Sequence, residues 1–111
     1  MIDTKRLDSL MDDLSFPEAL AGTELIRQAV AMVEADRAMS TTKELYPALA
    51  KAAGMTADRV ERNIRCAIRN AVECCDDWPE TRIAWQGFVR GQAPTNREVI
   101  ARLARRCRCE D

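Results

Sequence analysis

Histidine is absent from the sequence. The commonest general base at neutral pH and the commonest neutral metal ligand are both missing, which argues against an enzyme and against a catalytic zinc site. Glycine and proline number four each, too few for a low-complexity segment. The longest uninterrupted apolar run, Ala29–Val33, is five residues, against the roughly 20 that a bilayer span needs. Met1-Ile2-Asp3-Thr4 has no basic region followed by an apolar stretch, so no secretory leader is expected. These absences point to a cytoplasmic protein without a membrane role. The five cysteines are an odd count, and neither Cys74-Cys75 nor Cys107-x-Cys109 has the C-x2-C spacing of a four-thiolate site. No metal and no cofactor are expected. The cysteines are read as small apolar residues, with Cys109 an exposed thiol.

What remains is a chain of 111 residues, 47% hydrophobic and 32% charged, a balance that excludes disorder and suits one domain over residues 1–111. Its 17 basic and 18 acidic residues leave a net charge of only -1, but they are unevenly spread. Residues 1–36 hold three basic and eight acidic side chains, a net of -5. Residues 37–75 hold seven against four, a net of +3, and residues 76–111 seven against six. Fourteen of the basic residues are arginine, the side chain that grips phosphate, carboxylate or guanine with two hydrogen bonds at once.

Apolar residues recur at three- and four-residue steps nearly throughout, which predicts an all-α fold of about six helices. Leu7, Leu10, Met11 and Leu14 mark a first helix over about 3–14. Thr23 is the expected N-cap of a second over about 24–35, with Leu25, Ile26, Ala29, Val30 and Val33 inward. Pro47 suits the first turn of a third helix that begins near Tyr46, after a turn from Thr42, and buries Leu49, Ala50 and Ala53. Gly54 supplies a left-handed C′ residue and Thr56 caps a fourth helix over about 57–75. A small Ala50, a glycine four residues later and Val60 six beyond that match the spacing of a DNA-binding helix-turn-helix built from helices three and four. A fifth helix over about 80–88 is expected to bury Ile83, Trp85 and Phe88, and Gly87, Gly91 and Pro94 to mark a loop. Thr95-Asn96-Arg97-Glu98 fits a capping box for a sixth, running to about Arg106 with Val99, Ile100, Leu103 and Cys107 inward.

The fourth helix has two faces. Val60, Ile64, Ala67, Ile68, Ala71, Val72 and Cys75 form an apolar stripe, and Asp58, Arg59, Glu61, Arg62, Arg65 and Arg69 lie opposite, with Arg62, Arg65 and Arg69 on one surface. Periodicity alone fits either a solvated face, in which Glu61 and Arg65 pair at i,i+4, or a surface that reads DNA.

Three strings bear on that choice: Thr42-Lys-Glu-Leu-Tyr-Pro-Ala-Leu-Ala-Lys51, Asp58-Arg-Val-Glu-Arg-Asn-Ile-Arg-Cys-Ala-Ile68 and Pro94-Thr-Asn-Arg-Glu-Val-Ile-Ala101. In order and spacing the sequence resembles the C-terminal DNA-binding effector domain of the stage-zero sporulation response regulator family, over nearly its whole length. The resemblance implies a transcription regulator of six helices whose fourth helix enters the major groove of double-stranded DNA. Glu61, Arg62 and Arg65 match the family's base-reading positions. Arginine donates to guanine O6 and N7 and glutamate accepts from cytosine N4, which implies a short site containing G·C pairs. Lys43, Thr56, Arg59 and Arg69 are placed to touch the DNA backbone, and Asn96 with the first amides of helix six either holds a phosphate of that backbone or serves only ordinary helix capping. Arg102, Arg105, Arg106 and Arg108 form a basic end toward DNA or a neighbouring protomer.

Two positions depart from the family: Cys66 stands where histidine is common and Arg69 where an acidic residue is frequent. The resemblance also implies head-to-tail homodimers on tandem sites and contact with a sigma factor of RNA polymerase. Full-length regulators of the family carry an N-terminal phosphoacceptor receiver domain and none precedes Ile2, so the chain is expected to be an excised effector domain or a free-standing homologue. The alternative is an interaction module that sequesters a related regulator or a sigma factor through its acidic first helix.

Overall fold

A computed structural model describes residues 2–89 and 94–109. Among them there is no strand, and six α-helices follow in order: α1 (Thr4–Asp13), α2 (Ala21–Ala35), α3 (Tyr46–Ala53), α4 (Ala57–Glu73), α5 (Pro79–Phe88) and α6 (Asn96–Arg106). The core is apolar and continuous, with α2 packed across α4 and α6 and α3 packed against α4.

Asp3 caps α1 by accepting from the Arg6 amide at 3.1 Å, and the helix buries Leu7 and Met11. It ends on Ser15 at φ 64°, a left-handed residue whose hydroxyl lies 2.7 Å from that of Thr81. The second helix starts earlier than expected. A turn closed by the Leu20 amide on Pro17 begins it at Ala21, and Thr23, expected as its cap, is buried with its hydroxyl donating to the Pro17 carbonyl. That early start places Gly22 against α4. A Cβ there would fall inside the Asn63 carbonyl and within 2.9 Å of the Ala67 Cβ.

The turn expected from Thr42 is a π-helical turn over Thr41–Leu45. Ser40 caps it reciprocally: its hydroxyl accepts from the Lys43 amide at 3.4 Å, and its own amide donates to Glu44 Oε1 at 3.3 Å. The turn ends on Leu45, fully buried ahead of Pro47. Leu49 and Ala50 face inward as expected, whereas Ala53 is exposed, because the chain reverses at Gly54 one residue later and carries the end of α3 past the core.

Along α5 the buried residues are Thr81, Trp85 and Phe88, at steps of four and three. Ile83 lies about 200° around the helix from Thr81 and is 69% exposed, contrary to its expected burial. The Trp85 indole N–H donates to the Leu14 carbonyl at 2.9 Å, locking α5 to the end of α1, and Trp85 packs edge-on to Phe88 and tilted to Phe16. Gly87 lies inside α5 rather than in a loop; Gly91 falls outside the described residues. Thr95 caps α6 by accepting from the Glu98 amide at 3.2 Å, and Val99, Ile100, Leu103 and Cys107 are buried as expected. Burial pushes the Cys107 thiol up, which keeps it protonated and unreactive. All five cysteines are free thiols, with Cys66 exposed and Cys109 only half-buried.

The chain ends meet beside α6. The Asp3 amide donates to the Cys107 carbonyl at 2.7 Å and Ile2 pairs with Arg108 in an antiparallel bridge. Arg108 then reaches Glu34 of α2 at 2.9 Å, and Arg37 holds the same carboxylate at 2.8 Å. The Glu34 side chain is only 4% exposed. The Arg37 hydrogen bond first, and then Arg108, hold its carboxyl below the usual range against the opposing effect of burial.

Candidate nucleic-acid interface

The turn between α3 and α4 is set by two local devices. Gly54 adopts φ 68° and the amides of Gly54 and Met55 donate back to the Ala50 carbonyl, ending α3. Thr56 is extended, and its hydroxyl oxygen accepts from the Arg59 amide at 3.2 Å, starting α4. The result is a helix-turn-helix with Asp58 in the first turn of α4, where the helix dipole favours a negative charge.

Seventeen residues of α4 divide cleanly. Val60, Ile64, Ala67, Ile68 and Ala71 are buried and Val72 is half-buried at the edge of the stripe, while Cys75, expected inside the helix, lies half-buried in a 3-10 turn over Cys74–Asp76 just beyond its end. On the outer side Arg59, Arg62, Arg65 and Arg69 are all exposed. Among the described residues Arg62 has neither an ion pair nor a side-chain hydrogen bond. Arg65 pairs with Glu61 at 3.3 Å, the two side chains 53% and 37% exposed. A solvated i,i+4 pair of this kind is worth about 0.3–0.5 kcal/mol. A pair this weak leaves the Arg65 guanidinium available to another partner.

Lys43 is exposed on the π-helical turn and Thr56 is exposed at the start of α4. The Thr56 oxygen is occupied by the Arg59 amide, but its hydroxyl hydrogen remains able to donate to a phosphate. Cys66, exposed on the same helix, accepts a hydrogen bond at its sulfur from Asn70 at 3.5 Å, and Asn70 also donates to the Cys66 carbonyl at 2.8 Å. Arg69 lines a groove between α4 and the start of α6 with Arg65, Pro94 and Asn96.

Asn96 is the expected contact that behaves differently. It is the first residue of α6, not its cap, and its side chain turns into the protein. Its Nδ2 donates to the Tyr46 hydroxyl at 3.1 Å and to the Glu61 carbonyl at 3.1 Å. Periodicity and capping rules gave no signal for this, because both partners are distant in sequence.

The basic residues at the end of α6 also divide. Arg106 donates to the Gly87 carbonyl at 2.8 Å and lies 5.8 Å from the centre of the Phe88 ring, so it ties α6 to α5. Arg108 is held by Glu34. Arg102 and Arg105 are exposed.

The family model described as Sporulation initiation factor Spo0A C terminal matches residues 7–107. The chain belongs to the Spo0A C-terminal family. It is accordingly a DNA-binding effector domain of the sporulation response-regulator type, all-helical as that family is. The match begins in the first turns of α1 and ends at Cys107, so it spans the whole core of this Spo0A C-terminal domain, including the helix-turn-helix and the α6 residues that pack behind it.

A second surface stands apart from α4. Trp78, 60% exposed, and Ile83 are the exposed large apolar side chains among the described residues. Both line a shallow depression at the start of α5 with Asp12, Asp13, Glu80 and Thr81. Among the described residues no helix is long and apolar enough to cross a membrane.

Proposed function

We propose that this domain reads a short, G·C-containing duplex site with α4 in the major groove. Arg62 and Arg65 donate to guanine, and Glu61 accepts from cytosine while repelling a misplaced phosphate. Lys43, Thr56, Arg59 and Arg69 contact the DNA backbone and fix the register. The observation that carries this reading is the exposed arginine face of α4 lying opposite a stripe of fully buried side chains. The chemistry is recognition without catalysis: no histidine is present and no nucleophile beside a base stands on this face. Such a role places the protein in the cytoplasm with the DNA.

A lone helix-turn-helix reads few bases, so two copies on tandem sites supply the specificity one copy lacks. The acid-rimmed Trp78 and Ile83 surface is the face we assign to a protein partner, a sigma factor of RNA polymerase. None of its lining residues belongs to α4, so DNA held by α4 is expected to leave it open. The sequestering-module alternative would use the acidic outside of α1 and no DNA.

Fluorescence anisotropy with a labelled duplex selected by the protein from a random pool tests the reading. Arg62→Ala and Arg65→Ala should each weaken binding to that duplex by about 1–3 kcal/mol. Wild-type affinity in both variants would sink the assignment of α4. A stable complex with a related regulator, without any DNA shift, would favour the sequestering module.

A further inference from the structure

We propose that Asn96 is a positioning residue for base discrimination: it anchors the turn of α4 that carries Glu61, Arg62 and Arg65 to α3 and α6, without touching DNA itself. An asparagine amide has two hydrogens to donate. Here one goes to the Tyr46 hydroxyl and one to the Glu61 main-chain carbonyl, each at 3.1 Å. A main-chain carbonyl only accepts, so the side-chain atom facing Glu61 has to be the nitrogen, which fixes the orientation of the amide. With both hydrogens donated inside the protein, Asn96 has none left for a phosphate, and its remaining side-chain oxygen is an acceptor that a phosphate oxygen cannot use.

The three partners belong to three helices. Tyr46 opens α3 and is only 8% exposed, Asn96 opens α6 directly after its Thr95 cap, and Glu61 lies in the second turn of α4. Two of the anchors are thus held by the core and by a cap. The third is the main chain of a base-reading residue, so a small rotation of α4 there moves the side chains of Glu61, Arg62 and Arg65 together. Burial raises the Tyr46 phenol above its ordinary value. The Asn96 bond opposes this, and the charges of Glu61 and Arg65 act on it in opposite senses, which places the hydroxyl within electrostatic reach of both side chains.

This inference rests on α4 being the reading helix, and the experiment separates the two. Wild type, Asn96→Ala, Tyr46→Phe and the double variant are titrated against the pool-selected duplex and against a scrambled duplex of the same composition. Titrations are run at 25 °C, with folding checked by circular dichroism. The measured quantity is the ratio of the two affinities. It is insensitive to a loss of folded protein, because that lowers both affinities equally. Asn96→Ala should reduce the ratio about fivefold, Tyr46→Phe should reduce it in the same direction, and the double variant should fall no further than Asn96→Ala. Binding to the scrambled duplex should stay at the wild-type level. Equal losses on both duplexes with an Asn96→Ala protein whose circular dichroism matches wild type would identify a direct backbone contact and overturn the proposal, as would an unchanged ratio in Tyr46→Phe. If Asn96→Ala does not fold, Tyr46→Phe decides alone. Failure of the underlying reading shows separately, as a wild-type protein that selects no sequence from the pool.

Discussion

At the scale of single residues, Arg65 is held before DNA arrives and Arg62 is not. Arg65 leans on Glu61, so its guanidinium is partly ordered in the free protein, and the proposed contact with guanine would cost it less side-chain entropy. Replacing Glu61 with Ala should therefore raise affinity for scrambled duplex, by removing a carboxylate that repels phosphate, while lowering the preference for the selected site. Competition titrations with both duplexes measure this, and an unchanged preference would remove Glu61 from the reading set. Glu34 offers a residue-scale prediction about pH. Its folded carboxyl titrates below the usual value near 4.5, so the stability it contributes is fully present above that pH and is lost as pH falls through the lower folded value. Thermal midpoints recorded downward from pH 5 should fall more steeply in wild type than in Glu34→Gln. Parallel curves would mean that the Arg37 and Arg108 pairs do not stabilise the fold.

At the scale of elements, two glycines act for different reasons. Gly54 has open space around the position of a Cβ, so Gly54→Ala carries only the left-handed backbone penalty, about 1–2 kcal/mol. Gly22 has an ordinary φ but no room. Gly22→Ala requires α2 and α4 to separate, at about 1–3 kcal/mol or more, and under the proposal that α4 reads DNA it should weaken specific DNA binding as well. Urea denaturation of both variants alongside DNA titration distinguishes them: Gly54→Ala loses stability, and Gly22→Ala loses both. A Gly22→Ala protein with the wild-type midpoint would refute the close approach of these helices. The helix-turn-helix was legible in the sequence because its determinants are local: a left-handed glycine, a threonine cap and a 3.6-residue stripe within 30 residues. The start of α2 was not, since Thr23 satisfies the cap rule in sequence while its hydroxyl is taken by Pro17 in space.

At the scale of the whole molecule, charge is sorted by position. Arg27 on α2 gathers Asp8, Glu18 and Glu24 at 3.0, 2.6 and 3.5 Å, which raises its pKa and draws three of the eight acidic residues of the first third around one cation. The arginine face belongs to α4. Proposed backbone contacts from Lys43, Arg59 and Arg69 would release counterions from about three phosphates, for a slope of roughly -3 in log affinity against log salt. Affinity should then fall roughly sixtyfold between 50 and 200 mM salt. A slope near zero would contradict the proposed backbone contacts, whereas a much steeper one would require further basic residues, with Arg102 and Arg105 of α6 the first to test. The molecule measures 37 × 35 × 24 Å, so a single copy covers only a short stretch of duplex, in keeping with paired sites.

Periodicity and capping chemistry, which act between residues a few positions apart, were enough by themselves to determine the all-helical class, the six segments, the turn at Gly54 and the arginine face of α4. Tertiary packing decided what those rules cannot reach. It exposed Ile83 because Thr81 and Trp85 had already claimed the buried side of α5. It turned Asn96 inward because Tyr46 and Glu61, 50 and 35 residues away, need its two hydrogens. It brought the chain ends together through Asp3, Cys107 and Arg108. A helix's apolar stripe is written in local sequence. Which neighbour covers that stripe, and which polar group a buried donor must meet, depends on residues far along the chain.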